Sequence, residues 1–472
     1  MVMGELGQET DLLVIGGGPG GYAAAFRAAD LGLEVALVDN VDRPGGECLY
    51  RGCIPSKTLL YLSELIYKTR NAAVMGLRFE PPRIDLEGIR NWKRSVINTL
   101  ADGLATLGEK RGIQFIRGRA VFESPKKVRV YDSDVSHIKF NHAIIATGSR
   151  PAPFQGTDFR EGGRIMDSTG ALEMANIPEK LLIIGGGYVA LEMGTVYAGL
   201  GSRVTVAVRS ERLLRGADPD LAVPLIRSLK ERFAAIHFNT LPGTLEETKD
   251  HVDVIFQGGS EKGPQRFDRV LVATGRQPNS GDVGLENTRV RCDDKGFIIV
   301  DETRRTSDER IFAVGDVAGA PLLAHKAFHE GKVAAEVIAG RPSAFEARAI
   351  PAVVYTDPQV AWCGLTEEQA RKKKIPVKIE RYPWKFSSRA ITMGASNGLT
   401  KLILDTESGR VLGVGITGPE TEGMISEGVL AVEMGALAQD VGLSIHPHPT
   451  LSETFGEAAE IFTGSATHIL NK

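Results

Sequence analysis

Cysteine is scarce in this chain, with four residues among 472. Four cysteines are too few for a disulfide-rich extracellular scaffold of this length, so a disulfide here is expected to serve redox chemistry. An excess of charge of one sign is also absent, because 56 Lys and Arg face 59 Asp and Glu, for a formal net charge of −3. We therefore expect no nucleic-acid partner.

Long apolar runs are absent as well. The apolar stretches are short or interrupted by glycine, proline and charged residues, so none is predicted to enter a membrane. Residues 1–10 are polar and acidic and lack the basic and apolar regions of a secretory signal. Hydrophobic residues make up 42% and charged residues 24%, as in ordinary globular proteins. These features predict a cytoplasmic, multidomain protein.

Glycine, by contrast, is abundant, and its 54 residues are clustered. The first cluster lies between an apolar strand predicted at 12–15 and an alanine-rich helix that extends to about Leu31. A second predicted strand, from Glu34 to Val38, is followed directly by Asp39. A glycine cluster in this context is typical of a dinucleotide-binding fold, and the alternative is a glycine-rich turn without a ligand.

The spacing within this cluster assigns a task to each glycine. Gly16 allows the tight turn, Gly18 lets the backbone approach a pyrophosphate, and Gly21 permits close packing of helix on strand. The helix N-terminus favours the phosphate charge. Asp39 has the position from which a carboxylate accepts hydrogen bonds from ribose hydroxyls.

The same unit occurs a second time, 169 residues later. A strand predicted at 181–184 leads into Gly185, Gly187 and Ala190, and a helix and the strand Arg203 to Val208 follow. Two such units are typical of an enzyme that passes hydride between a flavin and a nicotinamide. Two strand ends, one with Thr147 and Gly148 and the other with Gly275, are expected to bring backbone close to a cofactor, or to be plain strand–turns.

Two of the cysteines, Cys48 and Cys53, lie five residues apart. On a regular helix they would be separated by about 7.5 Å along the axis and pointed apart, so a disulfide requires a distorted turn. Gly52 and Pro55 favour such a distortion, and a helix N-terminus favours a thiolate at Cys53. A metal site and two unrelated thiols are the alternatives; Cys292 and Cys363 are isolated and are interpreted as structural.

A disulfide reductase also needs an acid–base group. His448 has an acid, Glu453, five residues later that is able to orient its imidazole. From spacing alone, His446 is an equally good candidate.

Seven motifs in order resemble those of the flavoprotein disulfide reductases, and within that family those of the dihydrolipoamide dehydrogenases. They are GECLYRGCIPSK, GGGYVALE, VATGRQPN, AVGDVAG, LAHKA, AWCGLTE and HPHPTLSE. The resemblance implies an α/β fold with two Rossmann-like dinucleotide-binding domains and a C-terminal α+β dimerisation domain in a homodimer. The implied domains are 1–150 for FAD, 151–276 for NAD(P), 277–347 as a central domain that completes the FAD site, and 348–472 for the interface.

The resemblance also implies roles for the reactive residues. Cys48 would be the exchange thiol, and Cys53 would be the charge-transfer thiol that faces the flavin. His448, held by Glu453, would be the acid–base supplied across the dimer. The remaining cofactor residues implied are Gly46, Lys57 with Glu192 as an ion pair beside the flavin, Ala120, Asp316 at the ribityl chain, and Ala324 with His325 against the isoalloxazine. Departures from the family pattern are Asp39, Glu47, Tyr50 and Arg51.

The second nucleotide unit departs from the NAD-linked pattern. Adding 169 to Asp39 leads to Val208, which cannot accept a hydrogen bond from a ribose hydroxyl. Arg209 follows at once and Arg215 six residues later, so two guanidinium groups are available for a 2′-phosphate. The loop resembles the NADP-binding loop of glutathione reductases, and Ala190, where NAD-linked enzymes usually have glycine, agrees with that resemblance. We therefore predict that NADP is used in preference to NAD or as well as NAD. The alternative is that the two arginines are solvated surface charges.

We therefore expect a dihydrolipoyl dehydrogenase that oxidises the dihydrolipoyl group of a lipoylated carrier protein or lipoyl domain, from a 2-oxoacid dehydrogenase or glycine-cleavage-type system. The alternative within the fold is an NADPH-dependent disulfide reductase of the glutathione reductase type. Mercuric and large thioredoxin reductases carry a C-terminal cysteine pair, and no cysteine follows Cys363 here. A lipoyl-binding scaffold without turnover is the third hypothesis.

Overall fold

The computed structural model describes residues 7–154, 157–258 and 263–470. Of the segment 1–10, which lacks the pattern of a secretory signal, residues 1–6 lie outside the described residues. No helix among the described residues combines the length and the apolarity needed to cross a membrane.

The N-terminal part forms a parallel sheet with an antiparallel hairpin at one side. The strands β1 and β2 are buried along 12–15 and 35–38, as the continuous apolar runs predict. The order is β3-β2-β1-β6, and β4 and β5 continue the sheet from β6. The elements are β1 (Gly7–Ile15), α1 (Pro19–Asp30), β2 (Val35–Asp39), α2 (Gly46–Arg51), α3 (Cys53–Asn71), α4 (Leu86–Lys110), β3 (Gln114–Arg117), β4 (Arg119–Ser124), β5 (Lys127–Tyr131), β6 (His137–Ile145) and β7 (Ser149–Pro151).

The second part repeats this plan. Its parallel sheet has the order β11-β10-β9-β15-β8, and a separate antiparallel sheet contains β12, β13 and β14. The short strand β16 pairs with β7 and so joins the two parts. The elements are β8 (Ile165–Met166), α5 (Ser168–Glu173), β9 (Lys180–Ile184), α6 (Tyr188–Gly199), β10 (Arg203–Ala207), α7 (Pro219–Arg232), β11 (Ala235–His237), β12 (Leu241–Glu247), β13 (Val252–Gln257), β14 (Pro264–Phe267), β15 (Arg269–Val272) and β16 (Arg276–Pro278).

The chain then returns to the first sheet. Strand β17 (Ile311–Ala313) pairs in parallel with β6, and helix α8 (Ala324–Ile338) packs against α1. A 3-10 turn at Gly315–Ala318 connects the two and carries Asp316.

The C-terminal part is an antiparallel sheet covered by helices, as the alternating apolar segments predict. The strand order is β18-β19-β22-β21-β20. The elements are β18 (Ala352–Val354), β19 (Gln359–Gly364), α9 (Glu367–Lys373), β20 (Val377–Pro383), α10 (Ser388–Thr392), β21 (Leu399–Asp405), β22 (Val411–Gly418), α11 (Thr421–Met434), α12 (Ala438–Leu443) and α13 (Glu453–Thr463). The predicted fold class, two Rossmann-like units and a C-terminal α+β unit, is confirmed.

Candidate active site

A cavity of about 630 Å³ extends from the carboxyl end of β2 to the cysteine pair. It opens between the first parallel sheet, α3 and the N-terminal end of α6, at the edge of the sheet where α/β folds bind ligands. The predicted site residues that line it are Gly16, Gly18, Asp39, Gly46, Cys48, Cys53, Lys57, Ala120, Thr147, Gly148, Glu192, Asp316 and Ala324.

The first glycine fingerprint has the geometry that its spacing predicts. Gly16 has a φ of 102°, a conformation that favours glycine, and a Cβ there would collide with the carbonyl oxygen of Ala146. Gly21 lies outside the cavity, and a Cβ there would collide with the carbonyl oxygen of Gly16. Gly18 is the N-cap of α1, and a Cβ there would meet only the Cα of Gly46, at 3.9 Å. The glycines therefore close the helix onto the strand and leave the end of α1 accessible to a pyrophosphate.

Asp39 is the last residue of β2 and lines the cavity. Its carboxylate accepts a hydrogen bond from the backbone N–H of Gly17. Burial raises the pKa of Asp39, while backbone hydrogen bonds and the nearby Arg51 oppose the rise. Arg51 lines the same cavity and acts on the charge of Asp39, so one of the three unusual residues beside the cysteines is close to the predicted ribose site.

The cysteine pair lies where two helices meet. Helix α2 ends at Arg51 and α3 begins at Cys53, so the helical path breaks at Gly52. The predicted distortion between the two cysteines is thereby confirmed. Cys48 and Cys53 are both half-buried free thiols. Of the other cysteines, Cys363 is buried, as a structural residue should be, whereas Cys292 is exposed.

The two thiols are electrostatically unequal. A hydrogen bond from Cys48 and the nearby Lys57 ammonium lower the pKa of Cys53 to about 7, although burial opposes the change. The same hydrogen bond and burial raise the pKa of Cys48. Of the two thiols, Cys53 is therefore the one that loses its proton more readily.

Lys57 and Glu192 form the predicted ion pair. Their Nζ and Oε2 atoms are 2.8 Å apart, and the Glu192 side chain is only 3% exposed. Tyr355 holds both members, because its backbone N–H donates to Glu192 Oε1 over 3.0 Å and its ring centroid lies 4.5 Å from Lys57 Nζ. Sequence reasoning missed Tyr355, which belongs to no local pattern with either partner.

A second network, also missed, surrounds Arg276. Its guanidinium donates to the Glu47 carboxylate over 3.1 Å and to the Ser149 hydroxyl over 2.7 Å. The Ser149 hydroxyl donates to Asp316 over 2.6 Å. Glu47, one of the departures from the family pattern, is thus neutralised by an arginine. The VATGRQPN motif contains this arginine, but the sequence contains no signal for its partner.

His325 is not among the residues that line the cavity, and its contact with the isoalloxazine stays a prediction. Its Nε2 is 2.6 Å from the carbonyl oxygen of Pro351, so the ring is engaged outside the lining of the cavity. Ala324, the first residue of α8, does line the cavity. Burial lowers the pKa of His325.

The structure separates the two candidate acid–base histidines. His448 Nδ1 is 2.8 Å from Glu453 Oε1, its side chain is 65% exposed, and among the described residues nothing hydrogen-bonds its Nε2. Both ring nitrogens of His446 are engaged, one with Glu427 and one with the Ser444 carbonyl. Of these two rings, therefore, only that of His448 has a nitrogen without a hydrogen-bond partner among the described residues. It does not line the cavity with the cysteines.

The second fingerprint repeats the geometry of the first. A Cβ at Gly185 would collide with the carbonyl oxygen of Ala273, and Gly187 has nothing within 4 Å of its Cβ position. Ala190 is fully buried. Gly275, with a φ of 149°, also faces open space.

Val208 occupies the position that Asp39 has in the first unit. Asp39 contacts Gly17, and Val208 contacts the corresponding Gly186, with its Cγ1 2.9 Å from the Cβ position of that glycine. Arg209 and Arg215 are exposed, and within the described residues neither forms a salt bridge or a side-chain hydrogen bond. The intervening Arg212 is 3.1 Å from Glu368.

The lining fits a dinucleotide with a flavin. It combines the glycine-rich N-terminal end of α1, the carboxylate of Asp39, and a thiol pair with the Lys57–Glu192 ion pair. These are the groups that would hold FAD: Gly18 at the pyrophosphate, Asp39 at the ribose, Asp316 at the ribityl chain and Lys57 at the flavin.

Comparison with known proteins agrees with this geometry. Residues 10–331 match the family model described as pyridine nucleotide-disulphide oxidoreductase, and residues 350–459 match the dimerisation domain of the same family. The chain belongs to this family. The membership confirms the predicted oxidoreductase class and the FAD and pyridine-nucleotide cofactors, and the chain carries the dimerisation domain of the family.

Curated relatives cover the whole chain. A dihydrolipoyl dehydrogenase from Buchnera aphidicola is 42% identical over 467 residues, which are 98% of each chain. One from Geobacillus stearothermophilus is 41% identical over 473 residues and 100% of each chain. Among solved structures, LpdA from Mycobacterium tuberculosis matches with a TM-score of 0.88 and 25% identity, over 95% of this chain and 99% of that one. The flavoprotein disulfide reductase RclA from Escherichia coli matches with a TM-score of 0.84, also at 25% identity and with the same coverage.

Proposed function

We propose that the protein is a dihydrolipoyl dehydrogenase. The observation that carries the proposal is the cysteine pair at the junction of α2 and α3. It lines the same cavity as the Lys57–Glu192 pair, and the pKa of Cys53 is lowered while that of Cys48 is raised. Relatives at 41–42% identity over the full length bear this name. The physiological substrate would be a lipoylated carrier protein or lipoyl domain.

The chain's own residues account for the thiol chemistry. In the oxidised enzyme, a dihydrolipoyl thiolate attacks Cys48 of the Cys48–Cys53 disulfide, and Cys53 leaves as a thiolate. The second substrate thiol then attacks the mixed disulfide, releases Cys48 as a thiol and closes the lipoyl disulfide. Bound FAD supplies the route by which the electron pair of the dithiol reaches the pyridine nucleotide.

Proton transfer in these steps is assigned to His448. Its exposed ring presents Nε2, while Glu453 accepts from Nδ1 and so fixes the tautomer that takes a proton from a substrate thiol. The proton donated back to Cys48 comes from the same ring. Because His448 and the cysteines do not share a cavity within one chain, we assign His448 to the cysteine pair of a second copy in a homodimer.

The second candidate is an NADPH-dependent disulfide reductase of the glutathione reductase type, which would use the same thiols in the opposite direction. Arg209 and Arg215 favour it: both are exposed, form no salt bridge within the described residues, and carry guanidinium groups of the kind that bind a 2′-phosphate. Steady-state assays with dihydrolipoamide and NAD(P)⁺, and with glutathione disulfide and NAD(P)H, distinguish the two. Turnover of glutathione disulfide without oxidation of dihydrolipoamide would contradict the first proposal.

The domain limits and the residues that choose the nucleotide belong to the same proposal. The domain limits stay at 1–150, 151–276, 277–347 and 348–472, and β17 and α8 of the third segment lie on the first sheet. Val208, Arg209 and Arg215 are proposed as the determinants of nucleotide choice. A cytoplasmic location and the identity of the lipoyl partner stay predictions.

A further inference from the structure

A second histidine–glutamate pair lies beside the proposed acid–base pair. His446 is two residues before His448, but its side chain is only 12% exposed. Its Nε2 is 2.9 Å from Glu427 Oε1 on α11, and its Nδ1 is 2.8 Å from the carbonyl oxygen of Ser444. The proposed reaction does not use this ring.

These partners specify the protonation of the imidazole. A carbonyl oxygen only accepts hydrogen bonds, so Nδ1 must carry a hydrogen. The carboxylate of Glu427 likewise only accepts, so Nε2 must carry one too. A ring with hydrogen on both nitrogens is a cation. Consistently, the hydrogen bond to Glu427 raises the pKa of His446, although burial opposes the rise.

The ring is packed against the helix that begins with Glu453. A Cβ at Gly456 would lie 3.0 Å from His446 Nδ1, so a glycine at that position allows the imidazole to contact α13 one turn from Glu453. Three carboxyl groups act on the cation: Glu427 from α11, and Glu453 and Glu460 from α13. Burial raises the pKa of Glu460.

Glu453 therefore interacts with two imidazoles. It accepts from His448 Nδ1 over 2.8 Å and from the backbone N–H of Thr450 over 2.7 Å, and it also attracts the cation of His446. A positive charge at His446 offsets part of the negative potential of Glu453 at His448. We propose that His446 is a cationic positioning residue that acts on His448 through the carboxylate of Glu453.

This inference rests on the proposed function in one respect only, which is that its kinetic test measures the oxidation of dihydrolipoamide. The variant His446→Gln keeps a polar side chain but removes the charge. The protonated form of His448 is then less repelled, so the acidic limb of the kcat/KM profile for dihydrolipoamide should move to higher pH by on the order of 0.5–1 pH unit. His446→Lys, which restores a cation, should return the limb towards its original position.

The matched control is His468→Gln. His468 also pairs with a glutamate of α13, with its Nδ1 2.5 Å from Glu457 Oε1, and it is not assigned to the reaction. Its replacement should leave the acidic limb in place. An equal displacement in the control would show that loss of any histidine beside α13 is sufficient, and would overturn the proposal.

A spectroscopic test separates this inference from the proposed function. In protein labelled at histidine, nuclear magnetic resonance should show that His446 carries both ring hydrogens at pH 7.5, and that the titration midpoint of His448 rises in His446→Gln. A neutral His446 in the unmodified protein, or an unchanged His448 midpoint, would overturn the inference. The same shifts in a protein that does not oxidise dihydrolipoamide would sustain it and reject only the proposed function. If His446→Gln fails to fold, the protonation of His446 in the unmodified protein and the titration midpoint of His448 in His446→Lys test the inference instead.

Discussion

The nucleotide preference offers the sharpest test, because the structure isolates the groups that should decide it. Arg209 and Arg215 are exposed beside the end of β10, and within the described residues they form no ion pair that a 2′-phosphate would have to break. Val208 is 3% exposed and has no oxygen with which to bind the ribose hydroxyls of NAD. We predict that the unmodified enzyme prefers NADP or uses it well.

The magnitude follows from the two guanidinium groups. A hydrogen bond to a charged group contributes about 1.5–3 kcal/mol, and both arginines are exposed, so the lower value applies to each. Replacing either arginine by glutamine should reduce kcat/KM for NADP⁺ about tenfold, and replacing both about a hundredfold. With NAD⁺ the same variants should change kcat/KM by no more than about threefold, since they remove no contact to that nucleotide.

Two further variants complete the experiment. Arg212→Gln is the control, because Arg212 is 3.1 Å from Glu368 and has its charge already paired. Val208→Glu in the double-glutamine background should raise kcat/KM for NAD⁺, since it places a carboxylate where Asp39 accepts from Gly17 in the first unit. A strong preference of the unmodified enzyme for NAD⁺, or an Arg212→Gln effect as large as that of its neighbours, would refute the reasoning.

Three other predictions concern the thiols, the dimer and the first fingerprint. Two-electron reduction under anaerobic conditions should give a long-wavelength charge-transfer band, which develops with a midpoint near pH 7 as the Cys53 thiolate forms. Cys53→Ser should abolish the band, and Cys48→Ser should show it without reduction. A band that survives Cys53→Ser would mean that the roles of the two thiols are reversed. Heterodimers of a Cys48→Ser and a His448→Gln protomer should regain one intact site, and inactive verified heterodimers would place the whole site in one chain. Gly21→Ala should lower the unfolding temperature and the retention of FAD, with a stability loss of about 1–3 kcal/mol. Gly103→Ala should lower neither, because nothing lies within 4 Å of the new methyl group. Equal stability of the two variants would contradict the close packing at Gly21.

Much of the fold is predictable from the sequence because its signals are local. The glycines from Gly16 to Gly21 lie between a buried strand and a helix, and the same pattern recurs after 169 residues. The break at Gly52 between the cysteines is likewise specified within a few residues. Neighbouring residues determine both the backbone conformation and the alternation of apolar residues, so these patterns can be recognised in a short stretch of sequence.

The electrostatics of the site could not be predicted in the same way. Arg276 meets Glu47 across 229 residues, and no sequence signal links them. The Lys57–Glu192 pair spans 135 residues, and only the family resemblance implied it. The two histidines of the C-terminal motif have the same spacing signal, and only the packing of α11 and α13 engages one ring completely and leaves the other open. The sequence by itself determined which chemical groups the enzyme has and the folds that present them. The tertiary structure decided which groups are charged and paired, because those properties depend on burial and on partners that are remote in the chain.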